Sequence, residues 1–119
     1  ADVIYGGSLA VAGATARAIA FHKPEKVSLV AMGLEGKVKA DEDEQCALYL
    51  RNLLQGRRPD KDSVRALILA GEESQKYDDP SLPQWPPEDR MMALDIDSHN
   101  FALRIAREDD LFVSRPEYV

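Results

Sequence analysis

The hydrophobic pattern opens with Asp2-Val3-Ile4-Tyr5, a short β-branched and aromatic run that predicts a strand. Gly6-Gly7 breaks it, and Ser8 is a suitable N-cap for a helix reaching about Phe21. Ala and Gly occupy that helix on every side, so neighbours can approach it closely on more than one face. Lys23-Pro24-Glu25-Lys26 reads as a turn. Val27 to Ala31 lacks the alternation of a half-buried strand, and its apolar character predicts a strand covered on both faces, as in a parallel sheet. Strand, helix and strand within about thirty residues make a βαβ unit with a right-handed crossover.

Asp41 to about Gln55 has helical spacing, with Cys46, Ala47, Leu50, Leu53 and Leu54 on one stripe. Acidic residues fill its first turn and Arg51 lies near its last, which suits the helix dipole, and Gly56 supplies a C-cap. A third helix is expected from Asp62 to Lys76, with Val64, Leu67, Ile68 and Gly71 inward. Tyr77 to Pro87 holds four of the seven prolines and the only tryptophan, Trp85, so it is read as a loop. Glu88 to Leu94 could begin another helix. Ser98 to Arg107 reads as helical, with Ser98, Phe101, Ala102 and Ile105 on the inner stripe. Asp109-Asp110 then turns into a last strand, Leu111-Phe112-Val113.

Three strands and four or five helices predict a single α/β domain over residues 1–119. The expected architecture is three-layered, α/β/α, around a mostly parallel sheet. Three strands make that sheet thin, and two-sided burial of Val27 to Ala31 requires further strands. Those are expected from an upstream segment or a second subunit, and the opening at Ala1 reads as the start of an excised second half.

Composition narrows the partners. With 45% hydrophobic and 30% charged residues, the 119-residue chain is an ordinary globular one. Its net charge of -6 argues against nucleic-acid binding through a basic face. An anionic small substrate stays compatible, because a metal ion inverts the local field. No apolar run approaches the roughly 20 residues of a membrane span. One cysteine, Cys46, excludes an internal disulfide and fits a reducing, cytoplasmic setting.

Two segments carry candidate chemistry. The first runs from the apolar Val27–Ala31 through Gly33-Leu34-Glu35-Gly36 to Asp41-Glu42-Asp43-Glu44. Glu35, Glu42 and Asp43 could ligate Mg²⁺, a hard cation that takes one or two protein carboxylates, or could position a water. The same acids could equally serve only as cap and dipole partners of a helix start. The second is Gly6-Gly7-Ser8, where successive N–H groups and a hydroxyl could form an oxyanion or phosphate pocket. A plain strand-to-helix turn explains it as well, and no Lys follows at P-loop spacing. Cys46 reads as a core residue, His22 as a helix C-cap, and Arg57-Arg58 as a solvated loop with some capacity to grip an anion. His99 lies among Asp95, Asp97 and Asn100 and could touch a site, but two distant histidines make no zinc pattern.

Gly33-Leu34-Glu35-Gly36 followed by Glu42-Asp43 resembles a glycine-rich loop and Glu-Asp helix start of the 2-phosphosulfolactate phosphatase family. Three further pieces fall in matching order. Gly7-Ser8-Leu9-Ala10-Val11 is similar to a family turn and the small-residue helix after it. Cys46-Ala47-Leu48 stands where the family has an Ala- and Gly-rich helix start. Ala93 to Ile96 through Glu108 to Val113 resembles its closing helix and terminal strand. The likeness spans nearly all of this chain but only the carboxyl-terminal half of a family member.

The resemblance implies a Mg²⁺-dependent hydrolase acting on the phosphate monoester of a small sulfo or carboxy acid, a step that belongs to coenzyme M biosynthesis in methanogens. Glu42 and Asp43 would be the catalytic pair, and Glu42, Asp43 and Glu35 the metal ligands. Gly7, Ser8, Gly33 and Gly36 would hold phosphate. Val11 stands where the family carries asparagine, and a Thr-Asn-Gly-Thr-type loop is absent from this stretch. The site is therefore expected to be completed by upstream residues, by way of a homo-oligomer or a separate amino-terminal half. A competing expectation is a non-catalytic α/β module that binds an anionic metabolite or serves in assembly.

Overall fold

The computed structural model describes residues 3–31, 41–70, 81, 88, 91–92 and 94–118. Strand β1 (Ile4–Gly6) leads through a single 3₁₀ turn (Leu9–Val11) into α1 (Ala12–Phe21). Helices α2 (Asp41–Leu54) and α3 (Lys61–Leu69) follow, and a hairpin of β2 (Phe101–Glu108) and β3 (Leu111–Tyr118) closes the described chain.

The sheet is antiparallel throughout, in the order β1-β2-β3. The expected mostly parallel α/β/α sheet is therefore wrong, and two misread segments account for it. Val27 to Ala31, expected as the central strand, has no regular structure and is largely exposed, Val30 at 73%. An apolar run five residues long makes a strand only where a neighbour satisfies its backbone, and none of the described strands pairs with this one. The βαβ crossover disappears with it. Ser98 to Arg107, expected as a helix, is mostly β2. Phe101, Leu103 and Ile105 alternate with Ala102, Arg104 and Ala106, and this period of two prevails over the helical spacing of Ser98, Phe101, Ala102 and Ile105.

Asp109 and Asp110 form the two-residue hairpin loop, both at positive φ (48° and 65°), as a type I′ turn requires. Cross-strand register puts Tyr5, Ala102, Arg104, Arg115 and Glu117 on one sheet face and Ile4, Leu103, Ile105, Phe112 and Tyr118 on the other. The first face looks toward α1, and Ala102 is fully covered there. On the second face Ile4, Phe112 and Tyr118 are exposed.

Buried Ala12, Ala14, Ala16 and Ala18 let α1 pack between β2 and α2, as the small-residue pattern suggested. Thr15, also buried, satisfies its hydroxyl by donating to the Val11 carbonyl at 2.7 Å. The main core cluster joins Leu9 and Ala12 to Tyr49 and Leu50 of α2, Val64 and Ile68 of α3, and Leu94 and Ile96. Cys46 and Leu53 pack against it, half-buried.

Both ends of α2 follow from its sequence. Acids open it, and Gly56 ends it at φ +79° with the Gly56 N–H donating to the Leu53 carbonyl and the Arg57 N–H to that of Asn52. That pair of bonds is the Schellman arrangement. Helix α3 starts one residue earlier than expected and is described to Leu69, with Ala70 as its C-cap, while Gly71 to Lys76 of the expected helix lie outside the described residues. Asp60 is its N-cap, accepting from the Asp62 N–H at 3.2 Å and the Ser63 hydroxyl at 2.7 Å. Those two bonds hold the Asp60 carboxyl below its ordinary range. Val64 and Ile68 face inward as expected, but Leu67 is exposed. The proline-rich loop, apart from Ser81, lies outside the described residues.

Candidate functional site

The residues singled out from sequence are partly placed. Gly33, Glu35 and Gly36 lie outside the described residues, as does the side chain of Glu42. Glu42 and Asp43 belong to the first turn of α2, and Asp43 is half-buried. Gly7 and Ser8 form the exposed turn between β1 and the 3₁₀ turn. Ser8 is extended, at φ -151°, and its hydroxyl makes no capping bond. The Val11 N–H donates to the Ser8 carbonyl at 3.3 Å.

The Gly7 turn meets the same helix that carries Asp43. A Cβ on Gly7 would lie 3.3 Å from Leu50 Cδ1, so a bulkier residue there would press on α2. Leu50 lies seven residues beyond Asp43, about 10 Å of helix rise. Asp43 and the Gly7 turn thus lie about two turns apart along α2. Among the described residues no group of three or more His, Cys, Asp or Glu could hold a metal ion. Of the expected ligands only the Asp43 carboxylate is described, a donor of the chemistry that Mg²⁺ prefers.

A second constellation, not found from the sequence, sits where the end of α1 meets the sheet. His22, expected as a cap, is the C-cap of α1, with its N–H on the Ala20 and Ile19 carbonyls. Its ring Nε2 lies 3.1 Å from the Tyr5 hydroxyl. Tyr5 in turn donates to Glu117 Oε2, and Arg104 Nη1 lies 3.3 Å from Glu117 Oε1. Register explains the meeting: Tyr5 stands opposite Arg104, and Glu117 opposite Ala102, on the face toward α1.

Burial foremost, then the hydrogen bond to Glu117 and its charge, push the Tyr5 phenol up to about 12, with Arg104 opposing. Tyr5 is therefore a neutral hydrogen-bond donor and no phenolate base. Glu117 is held below the usual carboxylate range, chiefly by the Tyr5 bond, with Arg104 and His22 adding against desolvation. The cluster can hold a proton in place but does not generate a nucleophile from the phenol.

A third group lies at the opposite end of α1. Asp97, itself at φ 59°, accepts from the Gly13 N–H at 2.7 Å and pairs with Lys61 at 3.2 Å. A Cβ on Gly13 would fall 2.9 Å from Asp97 Oδ1, so only glycine leaves room for that carboxylate. Burial first, and the Asp97 charge second, raise the Tyr49 phenol, with Lys61 and Arg65 opposing. Asp97 thus serves the helix N-terminus rather than a site around His99, whose ring instead lies 5.3 Å from that of Phe101. Arg57 and Arg58 are exposed, and Arg57 reaches Asn52 at 3.5 Å.

No helix among the described residues is long and apolar enough to cross a membrane. Comparison with family models, with curated proteins and with solved structures finds no match.

Proposed function

We propose that this chain contributes to a Mg²⁺-dependent phosphatase of small sulfo or carboxy acid phosphate monoesters, similar to 2-phosphosulfolactate phosphatases. The observation that carries the reading is the ordered set of motifs, Gly7-Ser8, Gly33-Leu34-Glu35-Gly36, Glu42-Asp43 and the closing Asp109 to Val113. Two placements support it. Helix α2 begins with Glu42 and Asp43 in its first turn, and the Gly7 turn packs on that helix. Bound there, Mg²⁺ would supply charge neutralisation for the ester oxygens. In this reading Asp43 and Glu42 divide the work, one as a ligand and one hydrogen-bonding the attacking water, with Glu35 as a further ligand. The Gly7 and Ser8 N–H groups, with Gly33 and Gly36, would hold the phosphate.

The test is phosphate release from 2-phosphosulfolactate, with and without Mg²⁺, by the wild-type protein and by Asp43→Asn. Metal-dependent release that falls about 100-fold or more in the variant is expected. Release that ignores Mg²⁺, or an unaffected variant, overturns the assignment.

One observation favours a second reading, a non-catalytic module that binds an anionic metabolite. Val11, standing where the family carries asparagine, is buried at 2% exposure and offers a ligand no polar group. Calorimetry separates the two: sulfolactate or phosphate bound equally well without Mg²⁺ favours the module, and binding coupled to Mg²⁺ favours the phosphatase.

A further inference from the structure

Glu117, Tyr5 and His22 lie on one hydrogen-bonded path, and their donor and acceptor inventories allow one assignment of protons. Glu117 is ionised at neutral pH and already takes Arg104 on Oε1, so it only accepts. Tyr5 has a single hydroxyl proton, and that proton goes to Glu117 Oε2. Toward its other neighbour, His22 Nε2, the phenol oxygen has only a lone pair to offer. Nε2 must then carry a proton.

We propose that Glu117, acting through Tyr5, locks His22 in the Nε2–H tautomer, so that Nδ1 is the ring's proton-accepting atom and the α1–sheet latch holds with the ring neutral or charged. Among the described residues Nδ1 makes no hydrogen bond, and the His22 residue is exposed. A second proton therefore arrives at Nδ1 from solvent without disturbing the path. The opposite tautomer would need the Tyr5 proton for itself, would take it from Glu117, and would lose its bond on protonation. Hydrogen-bond partners at one ring nitrogen commonly fix the role of the other in this way.

The charges facing the ring agree. Tyr5 comes from β1, anionic Glu117 from β3 and cationic Arg104 from β2, and the Phe21 ring stands edge-on at 6.0 Å from α1 itself. Lys23 and Glu25 follow His22 in the chain. The arrangement makes His22 a positioning residue whose outer nitrogen exchanges protons with solvent. Release of the latch is left to Glu117, at acidity well beyond the histidine range. The inference is independent of the phosphatase reading.

The experiment uses the full chain labelled with ¹⁵N-histidine and two-bond ¹H–¹⁵N spectra, which tell protonated from bare ring nitrogens. At pH 8 His22 is expected wholly as Nε2–H. Tyr5→Phe should turn His22 into a mixture of both tautomers. A wild-type His22 found as a mixture of tautomers, or a His22 tautomer unmoved by Tyr5→Phe, overturns the proposal. Should that variant fail to fold, the wild type decides alone. Tyr5–His22 ring contacts should persist as the pH is lowered while Glu117 stays ionised, and their loss in that range overturns the proposal.

Discussion

The two ends of α1 are held by opposite strategies. At the N-terminus one carboxylate, Asp97, comes from 84 residues away and bonds to the backbone at Gly13. It meets the positive end of the helix dipole, pairs with Lys61, and stands beside the core residues Leu9, Ala12 and Tyr49. At the C-terminus the contact is made by side chains alone, through His22, Tyr5 and Glu117, next to a Phe21 that is 77% exposed. The first end depends on a close approach that only glycine permits. The second depends on where protons sit. The N-terminal end should therefore be the stronger.

Removing the N-terminal anchor tests that ranking most severely. Asp97→Ala leaves the Gly13 N–H without its acceptor and Lys61 without its partner. A loss of about 2 kcal/mol is expected, the upper range for a helix N-cap. Asp97→Asn should recover part of it, because an amide oxygen still accepts from Gly13 while the Lys61 pair is gone. Urea unfolding at pH 7 measures both. If Asp97→Ala costs no more than Glu117→Gln, the two ends are not ranked as described.

The C-terminal end is probed by pH. Glu117→Gln removes a charge that accepts from Tyr5 and Arg104, and about 1 kcal/mol should be lost at pH 7, typical of one partly exposed charged hydrogen bond. The folded carboxyl lies below its ordinary value of 4.5, so the unfolded chain binds the proton more readily. Stability from Glu117 is thus fully present above about 4.5 and fades as pH falls through the lower folded value. The gap between wild type and variant should narrow as pH falls below about 4.5. Tyr5 has the opposite sign: its phenol, raised to about 12, contributes below the ordinary 10.0 and loses that contribution as pH rises through about 12. A gap that stays constant from pH 7 to pH 3 would show that Glu117 acts by packing and not by charge.

The sequence made some of this legible and hid the rest for physical reasons. Helix α2 could be read because its signals are local: acids at one end, Gly56 at the other, and Leu50 on the inward stripe. Even there Tyr49 was missed, since its burial depends on α3 and the segment around Leu94. Phe101 to Ile105 fits both a helix and a strand over so short a stretch. The deciding evidence, pairing with Ile4–Gly6 and with β3, lies in partners distant in sequence. Val27 to Ala31 failed for the converse reason, an apolar run without a mate among the described strands. His22 could be recognised as a cap, but its link to Glu117 passes through Tyr5, 112 residues from that carboxylate. Asp60 just before α3, with Ser63 in its first turn, did carry a local capping signal, and that one could have been found.

The smallest expected effect sharpens the comparison from the hairpin side. Asp110 sits at φ 65° with a Cβ in a region that costs most L-residues about 1–2 kcal/mol, less for Asp. Asp110→Gly removes that cost and gives up the ion pair with Arg107, whose two side chains are 67% and 93% exposed and contribute little. A net gain of about 0.5 kcal/mol follows. Because β3 carries Glu117, the gain should be felt at the C-terminal end of α1 and not at the other. Hydrogen exchange reads this residue by residue. Slower exchange is expected at the β2 and β3 amides, with the Gly13 amide unchanged. Equal slowing at Gly13 would mean that the two ends open together, and that α1 is held as a single unit.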